Sequence, residues 1–354
     1  GDTITPHLIV VDPLSPTPRT VVDNVKLPET PAKGPLPPPQ PLLHPRQRNV
    51  FKKLGSIFKF LLHSRASLSL KRSPHSPSLQ SPVPLLAQST TLAADSDRTQ
   101  TEFHGAFSDI LQAKLGNRAV AVKALRVVNM DGPDEIRMMK RLAREIYVWA
   151  ELDHPQVLEL LGFAFDNRTP CLISPWCENG TLQEYLQKNP GANRRLLVRQ
   201  IAEGLKYLHS QTPPIVHGDF KTTNILVTDQ HMAKICGFGG SKRLERINTG
   251  FTTTGLVLAT IRYCAPEILR DGQHHTLNSD VYSFACVALE TMTDKSPFWK
   301  ILNVVGVITR VVVEKQTPSP EDHPGLEDPM WELLRRCWSC EPLDRPTMID
   351  VCRT

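Results

Sequence analysis

The chain has 354 residues, of which 40% are hydrophobic and 22% are charged, as in ordinary soluble globular proteins. Its formal net charge is +5, but residues 1–100 hold 12 Lys/Arg against 6 Asp/Glu, so residues 101–354 carry a net charge of −1. This distribution excludes a strongly basic folded domain, and nucleic acid is not a predicted partner. No apolar run approaches the roughly 18 residues that a membrane-spanning helix needs.

Residues 1–100 are predicted to form a disordered extension. They contain 16 of the 31 prolines, including the run at 37–39, and residues 66–100 are rich in Ser, Pro and Thr. A segment of this composition buries too little apolar surface to offset the entropy of folding. The proline-rich part is predicted to be a linker, with a ligand for an SH3-type domain as the alternative.

A basic amphipathic segment is predicted inside this extension, at residues 46–72. It holds eight Lys/Arg and no acidic residue, and Phe51, Leu54, Phe58 and Leu61 recur at helical spacing. Such a helix suits an anionic membrane surface or an acidic groove on a partner. Docking on the folded domain of the same chain is an equally good interpretation, and the pattern does not separate the two.

The cysteines indicate a reducing compartment. All eight lie between Cys171 and Cys352 at irregular spacings, which favours free thiols and predicts a cytoplasmic protein, peripheral to a membrane if 46–72 binds lipid. Cys337 and Cys340 have the spacing of half a zinc site, but no second pair accompanies them, so a packed helix end is favoured. The chain begins with Gly1 and no signal segment follows, which predicts a fragment of a longer chain.

From residue 101 the sequence predicts a folded α+β domain. Alternating apolar residues predict a strand at 119–125, and helical spacing extends from Pro133 to Ala150. Further predicted elements are a strand at 171–174, a turn at Asn179-Gly180, short strands at 225–227 and 233–235, and helices at 196–210, 280–293, 329–337 and 346–354. Strands first and helices afterwards indicate two lobes.

Polar residues stand in a fixed order along this domain. They are Lys123 in a strand, Glu145 in a helix, the loop Asp219-x-Lys221-x-x-Asn224, the triplet Ala265-Pro266-Glu267, and then Asp280 and Arg345. Each alone has an ordinary explanation, such as a solvated lysine or an aspartate in a turn. Together, their order and spacing resemble the protein kinase family across about residues 101–354. The resemblance implies a two-lobed protein-kinase fold, with a small β-rich lobe at about 101–175 and a larger helical lobe at about 179–354.

The resemblance also implies catalytic roles in phosphoryl transfer from ATP to Ser or Thr of a protein. A strand lysine, here Lys123, holds the α- and β-phosphates in the family, and a helix glutamate, here Glu145, holds that lysine in place. Asp219 resembles the residue that accepts the proton of the substrate hydroxyl. Lys221 resembles the lysine that steadies the transferring phosphate, and Asn224 resembles a magnesium ligand.

Other positions are implied to build the surroundings of that chemistry. The adenine site is expected between the lobes, along Gly105, Ala121, Ser174 and Cys177. Thr260 resembles the threonine of the acceptor site in Ser/Thr-directed members. Asp280 is expected to brace the catalytic loop, and Glu267 to pair with Arg345 in a buried bridge.

Finer motifs are similar to the tyrosine-kinase-like branch of Ser/Thr kinases, including fungal members. They are Asn179-Gly180-Thr181-Leu182, Arg262-Tyr263-Cys264, and Arg336-Cys337-Trp338 ahead of Asp344-Arg345-Pro346.

Three departures from the family pattern point to weakened chemistry. The phosphate-covering loop keeps Gly105 alone of its three glycines, and the arginine expected before Asp219 is Gly218. The Asp-Phe-Gly motif reads Gly237-Phe238-Gly239, and glycine provides no carboxylate for magnesium. Losing a charged metal ligand is expected to lower the rate by about two or more orders of magnitude.

Two functions therefore remain open from the sequence. The first is a Ser/Thr protein kinase that uses ATP and a weakened Mg²⁺ site, where Mn²⁺ could substitute. The second is a catalytically silent pseudokinase, which binds ATP or acts as a scaffold and regulates a partner protein without chemistry. The retained Lys123, Glu145, Asp219, Lys221 and Asn224 favour the first, and Gly237 favours the second.

Overall fold

The computed structural model describes residues 7–10, 101–104, 108–115, 117–125, 142, 145–166, 169–243, 258–271 and 274–354. By its contacts, the chain divides into one unit of residues 9–88 and another of residues 1–8 with 89–354. The basic segment 46–72 and Gly105 lie outside the described residues, so their expected roles stay predictions. In the part of the chain that the structure describes, no helix is long and apolar enough to cross a membrane.

The N-terminal part is a six-stranded sheet in the spatial order β1-β5-β6-β4-β3-β2. Its strands are β1 (His7–Val10), β2 (Thr101–His104), β3 (Ser108–Leu115), β4 (Arg118–Leu125), β5 (Gly162–Asp166) and β6 (Thr169–Pro175). The strands β2 to β6 pair antiparallel with their neighbours. The predicted strands at 119–125 and 171–174 lie inside β4 and β6.

The register between β4 and β6 separates a packed face from a functional face. Val120 is fully buried against Cys171 and Ile173. On the same pair of strands, Ala121 stands opposite Ser174 and Lys123 stands opposite Leu172. Because successive side chains of a strand point to opposite faces, burying Val120 directs Lys123 the other way.

The C-terminal part is mostly helical. Its helices are Leu182–Lys188, Arg194–His209, Leu258–Ile261, Pro266–Asp271, Leu277–Thr293, Val304–Ile308, a π-helical turn Thr309–Val313, Asp328–Cys337 and Met348–Val351, with 3-10 turns at Thr222–Asn224, Phe238–Gly240 and Pro342–Asp344. The short strands are β7 (Ile215–Val216), β8 (Ile225–Val227), β9 (Ala233–Ile235) and β10 (Lys242–Arg243), paired as β7 with β10 and β8 with β9. The predicted bounds of β8 and β9 agree with the structure.

The helix Leu277–Thr293 forms the centre of this part. A capping box starts it, in which Thr276 accepts from the Ser279 backbone and Ser279 accepts in return. It is buried without a break from Ser279 to Thr291, because apolar residues occupy all its faces. It ends at Asp294, whose backbone is left-handed. The helices Arg194–His209 and Asp328–Cys337 pack against it.

Capping residues account for the helix ends that differ from prediction. The helix expected at 196–210 begins at Arg194, because the Asn193 side chain accepts a hydrogen bond from the Leu196 amide at 3.0 Å. The final helix, expected at 346–354, spans only Met348–Val351, after a capping box between Thr347 and Asp350.

The cysteine predictions agree with the structure. All eight cysteines are free, and Cys337 is fully buried at the end of a packed helix. Among the described residues, no group of three or more His, Cys, Asp or Glu could hold a metal ion. The burial of Cys337 agrees with the predicted packed helix end, and Cys340 is exposed.

The buried face of the helix Arg194–His209 makes a testable stability prediction. Leu205 is fully buried, whereas Leu196 on the same helix is 46% exposed. Leu205→Ala is expected to lower the free energy of unfolding by about 2–5 kcal/mol, because it leaves a cavity. Leu196→Ala should change it by about 0.5 kcal/mol or less. Urea denaturation of both variants measures the difference, and equal losses would contradict this packing.

Candidate active site

The lysine of β4 forms an ion pair inside the sheet-rich part. The Lys123 Nζ lies 3.3 Å from the Glu145 Oε1, and the Glu145 side chain is only 6% exposed. Residues 145–149 are helical, and Ile146, Val148 and Trp149 are buried on the same helix. Burial of these apolar residues holds the helix in the interior, and Glu145 on the same helix reaches Lys123 of the sheet. Lys123 is therefore not a solvated charge.

Three aromatic rings link that helix to the loop that precedes Asp219. The Trp149 and Phe238 rings lie 5.5 Å apart, as do the Phe238 and His217 rings. Phe238 and His217 are fully buried, and the His217 ring also hydrogen-bonds through Nε2 to the Cys236 carbonyl at 2.9 Å. No role was predicted for these rings. His217 lies two residues before Asp219 and Phe238 follows Gly237, and these positions are the sequence signal that could have indicated one.

Asp280 anchors the same loop to the central helix. The resemblance to protein kinases predicted that Asp280 would support this loop. Its carboxylate accepts hydrogen bonds from the backbone amides of His217 at 2.7 Å and Gly218 at 3.0 Å, and His209 Nε2 lies 3.2 Å away. Burial alone raises the pKa of Asp280. The hydrogen bonds from His209 and Gly218 and the nearby histidines outweigh burial and lower that pKa below its usual value.

Four predicted site residues converge at the loop itself. The Asp219 carboxylate lies 3.0 Å from the Lys221 Nζ and accepts a hydrogen bond from the Asn224 Nδ2, also at 3.0 Å. The Lys221 Nζ also donates to the Thr260 hydroxyl at 3.1 Å. Thr260 is 39 residues further along the chain, so only the tertiary structure brings it to this lysine.

Gly237 adopts a left-handed backbone, with φ +84°. A Cβ atom at this position would lie 2.6–2.9 Å from three atoms of the Asn224 side chain. That side chain also donates to the Asp219 carbonyl at 2.7 Å. The Asn224 amide therefore occupies the space that a side chain at position 237 would need.

The residues present fit a magnesium ion only in part. Hard cations prefer oxygen ligands, and this loop offers the Asn224 amide oxygen and the Asp219 carboxylate. Position 237 supplies no oxygen, and the Asp219 carboxylate already receives hydrogen bonds from Lys221 and Asn224.

Gly218, in place of the expected arginine, is required by its surroundings. Its φ is +75°, and a Cβ atom would lie 2.8 Å from the backbone oxygen of Gly240. Backbone cannot move aside as a flexible side chain can, so a larger residue is excluded here without a shift of the loop. The arginine that the kinase pattern has before Asp219 would therefore not fit at position 218 in this loop conformation.

The expected adenine-binding positions lie along the end of β6. Ser174 pairs with Ala121, and the Trp176 amide donates to the Ala119 carbonyl at 3.2 Å. Ser174 and Cys177 are both 7% exposed. Burial raises the pKa of Cys177 to about 11 and that of Cys236, next to Gly237, to about 12. Both thiols are therefore protonated at neutral pH.

Glu267 and Arg345 form the most deeply buried ion pair among the described residues. Two parallel hydrogen bonds of 2.7 and 2.8 Å join the guanidinium to the carboxylate, and the Arg345 side chain is fully buried. Arg345 also donates to the carbonyls of Ser339 and Asn278. Four hydrogen bonds of the guanidinium thus join Arg345 to Glu267, Asn278 and Ser339, of which the first two are more than 60 residues away along the chain.

Comparison with known proteins identifies related chains. The protein kinase domain family matches residues 104–354. The serine/threonine-protein kinase CTR1 of Arabidopsis thaliana is 29% identical over 312 residues, which is 82% of this chain and 36% of that protein. The mitogen-activated protein kinase kinase kinase 1 of Homo sapiens is 31% identical over 255 residues, which is 68% of this chain and 16% of that protein. The chain thus spans well under two thirds of either relative. The predicted two-lobed α+β fold is confirmed.

The buried bridge makes a second stability prediction. Arg345→Met removes one partner of a buried pair and leaves Glu267 uncompensated, so the free energy of unfolding should fall by about 3–5 kcal/mol. Arg335→Met is the matched control, since the Arg335 side chain is 57% exposed and lies 3.6 Å from Glu332. The control should lose about 0.5 kcal/mol or less. Equal urea midpoints for the two variants would contradict a structural role for the bridge.

Proposed function

Because the chain belongs to the protein kinase domain family, we propose that it transfers the γ-phosphoryl group of ATP to Ser or Thr of a protein, at a rate lowered by Gly237. The observation that carries the proposal is the formed ion pair between Lys123 and Glu145. This pair holds a cation on the sheet side of the interlobe cleft, where the family binds phosphates. Lys221, between Asp219 and Thr260, is the supporting observation on the opposite side.

Lys123 and Glu145 position the nucleotide in this proposal. The ammonium group of Lys123 binds the α- and β-phosphates, and Glu145 restricts the lysine to that orientation. Because Glu145 is buried and its helix is packed, the cation is already oriented before the nucleotide arrives. The adenine ring is bound beside Ser174 and Cys177, through backbone groups of the segment that joins the lobes.

Asp219 acts as the base of the transfer step. The substrate hydroxyl gives its proton to the Asp219 carboxylate while its oxygen forms a bond to the γ-phosphorus. The bond between that phosphorus and the β–γ bridging oxygen breaks, and the electron pair leaves with ADP. Lys221 adds positive charge where negative charge develops, and its contact with Thr260 holds the acceptor side in place.

Magnesium binding is the impaired part of this proposal. Protein kinases generally use ATP with Mg²⁺, which neutralises charge on the phosphates. In this chain Asn224 would hold the ion through its amide oxygen, and the carboxylate expected at position 237 is missing. Mn²⁺ is proposed as a substitute ion.

A pseudokinase is the second candidate, and a specific observation favours it. The Asn224 amide is hydrogen-bonded to Asp219 and fills the space beside Gly237. Such a chain would bind ATP or act as a scaffold, and it would regulate a partner protein without phosphoryl transfer.

We also propose a branch of the family and a cellular location for this chain. The segments Asn179–Leu182 and Arg262–Cys264 support membership of the tyrosine-kinase-like branch, and similarity to fungal members rests on the same motifs. A role in signal transduction follows from that membership. The eight free cysteines support a reducing, cytoplasmic compartment.

Transfer of the γ-phosphoryl group tests the proposal directly. The purified chain is incubated with labelled ATP, a generic Ser/Thr substrate and Mg²⁺ or Mn²⁺, with Asp219→Asn as the blank. Asp219→Asn removes the base and keeps the size of the side chain, so transfer should drop by about 100-fold or more. Transfer equal to the blank with both ions, together with measurable ATP binding, would establish the pseudokinase instead.

Restoring the carboxylate at position 237 gives a sharper test. Gly237→Asp should raise the Mg²⁺-dependent transfer rate by about 10-fold or more, because a charged metal ligand contributes several kcal/mol. Asn224 must move away from Asp219 to admit the new Cβ atom. Gly237→Ala is the matched control, since it displaces Asn224 equally and adds no ligand. An equal response of the two variants would show that the metal site does not limit the rate.

A further inference from the structure

A cavity of about 180 Å³ opens beside the loop that carries Asp219. Its lining includes Gln183, Lys221, Thr223, Arg262, Tyr263 and Glu290. Lys221 is shared between this cavity and the contact with Asp219. A polypeptide that presents a hydroxyl group to Asp219 therefore passes over the cavity, and the lining acts on the residues that flank the acceptor.

The cationic groups of this lining are available to a ligand. Arg262 is half-buried, and its guanidinium donates to the carbonyl oxygens of Pro297, Phe298 and Ile301. Carbonyl oxygens orient a guanidinium without neutralising it. Burial lowers the pKa of Arg262, while the nearby Tyr263 and Glu290 oppose that shift. Among the described residues, no carboxylate forms a hydrogen bond or a close ion pair with Arg262. Lys221 supplies a second cation in the same wall, shared with Asp219.

The acidic group of the lining is already used. Glu290 is 7% exposed, and its Oε2 accepts hydrogen bonds from the Tyr263 hydroxyl and from the Thr222 hydroxyl at 3.2 Å. Burial raises the pKa of Glu290 above its usual value, although the two hydroxyl groups oppose the shift. Both recorded hydrogen bonds of Glu290 thus come from hydroxyl groups of the same chain, and the buried carboxylate is held inside the wall of the cavity.

A nearby carboxylate is also paired away from the cavity. Asp294 follows the central helix that carries Glu290, and it makes two 2.7 Å hydrogen bonds to Arg194. Arg262 is thus the charged group of the lining whose recorded hydrogen bonds all go to neutral groups, whereas Lys221 is shared with Asp219.

We infer that the cavity binds acidic side chains, so that the chain selects protein segments in which Asp or Glu flanks the acceptor Ser or Thr. This inference rests on the proposed function, since it takes Asp219 as the group that receives the hydroxyl. A carboxylate at the cavity gains charge-assisted hydrogen bonds from Arg262. A basic peptide would place its cations against Arg262 and Lys221, and like charges repel at such short distances.

Peptide binding without phosphoryl transfer tests the inference. Three fluorescent peptides share a central Ser and differ in their flanking residues, which are Glu, Gln or Lys. Their affinities for the full 354-residue chain are measured by fluorescence anisotropy. Because residues 46–72 carry eight Lys/Arg and attract the same acidic peptide, each variant is compared with the unmodified chain, in which that background is identical.

Two exposed positions allow the charge of the cavity to be changed without loss of packing. Gln183 and Thr223 both line the cavity and are exposed. Gln183→Glu should weaken binding of the acidic peptide about fivefold, and Thr223→Lys should strengthen it by a similar factor. Gln187→Glu adds the same charge one turn further along the helix of Gln183, outside the lining, and should have a markedly smaller effect.

The outcomes separate this inference from the proposed function. Equal binding of the acidic and the Lys-flanked peptide, or an effect of Gln183→Glu no larger than that of Gln187→Glu, would overturn the inference, even if transfer is observed. Absence of transfer combined with charge-dependent peptide binding would refute the proposed function and leave the acidic selectivity of the cavity standing.

Discussion

The buried carboxylate of Asp280 holds the functional part of this molecule together. It accepts hydrogen bonds from the backbone of His217 and Gly218, which precede Asp219, and so ties the loop of Asp219 to the central helix. The His217 ring then contacts Phe238, and Phe238 contacts Trp149 on the helix of Glu145. One anion thus determines the position of groups from both lobes. Isolated buried charges are costly, and three nearby donors compensate this one.

The same framework explains why glycine at position 237 has local consequences only. Phe238 remains fully buried between its aromatic neighbours, so loss of a carboxylate one residue earlier does not disturb the packing. The effect appears in Asn224, whose amide takes the vacant space and binds Asp219. Architecture and metal binding are therefore separable in this fold. A chain with an intact framework is compatible with slow catalysis and with a role that needs none.

The charge that a ligand meets beside Lys221 depends on which charged side chains are already paired there. The overall composition of the chain does not predict it. The folded part is close to neutral, with 29 Lys/Arg against 30 Asp/Glu in residues 101–354. At the cavity beside Lys221, however, Glu290 accepts hydrogen bonds from two hydroxyl groups, and the recorded hydrogen bonds of Arg262 all go to carbonyl oxygens. Local selectivity for charge arises because pairing removes some charges and leaves others, which a net charge cannot reveal.

The resemblance of the sequence to protein kinases predicted the fold class, and local periodicity predicted the bounds of β8 and β9 within the helical part. The roles of Lys123, Glu145 and Asp219 come from the same resemblance and stay predictions. Helix ends were less accurate, since caps such as Asn193 decide them. Only the tertiary structure decided that Lys221 reaches Thr260, that Asn224 occupies the space beside Gly237, and that the recorded hydrogen bonds of Arg262 go to carbonyl oxygens. These contacts join segments that are separated along the chain, and packing within the helical lobe sets them.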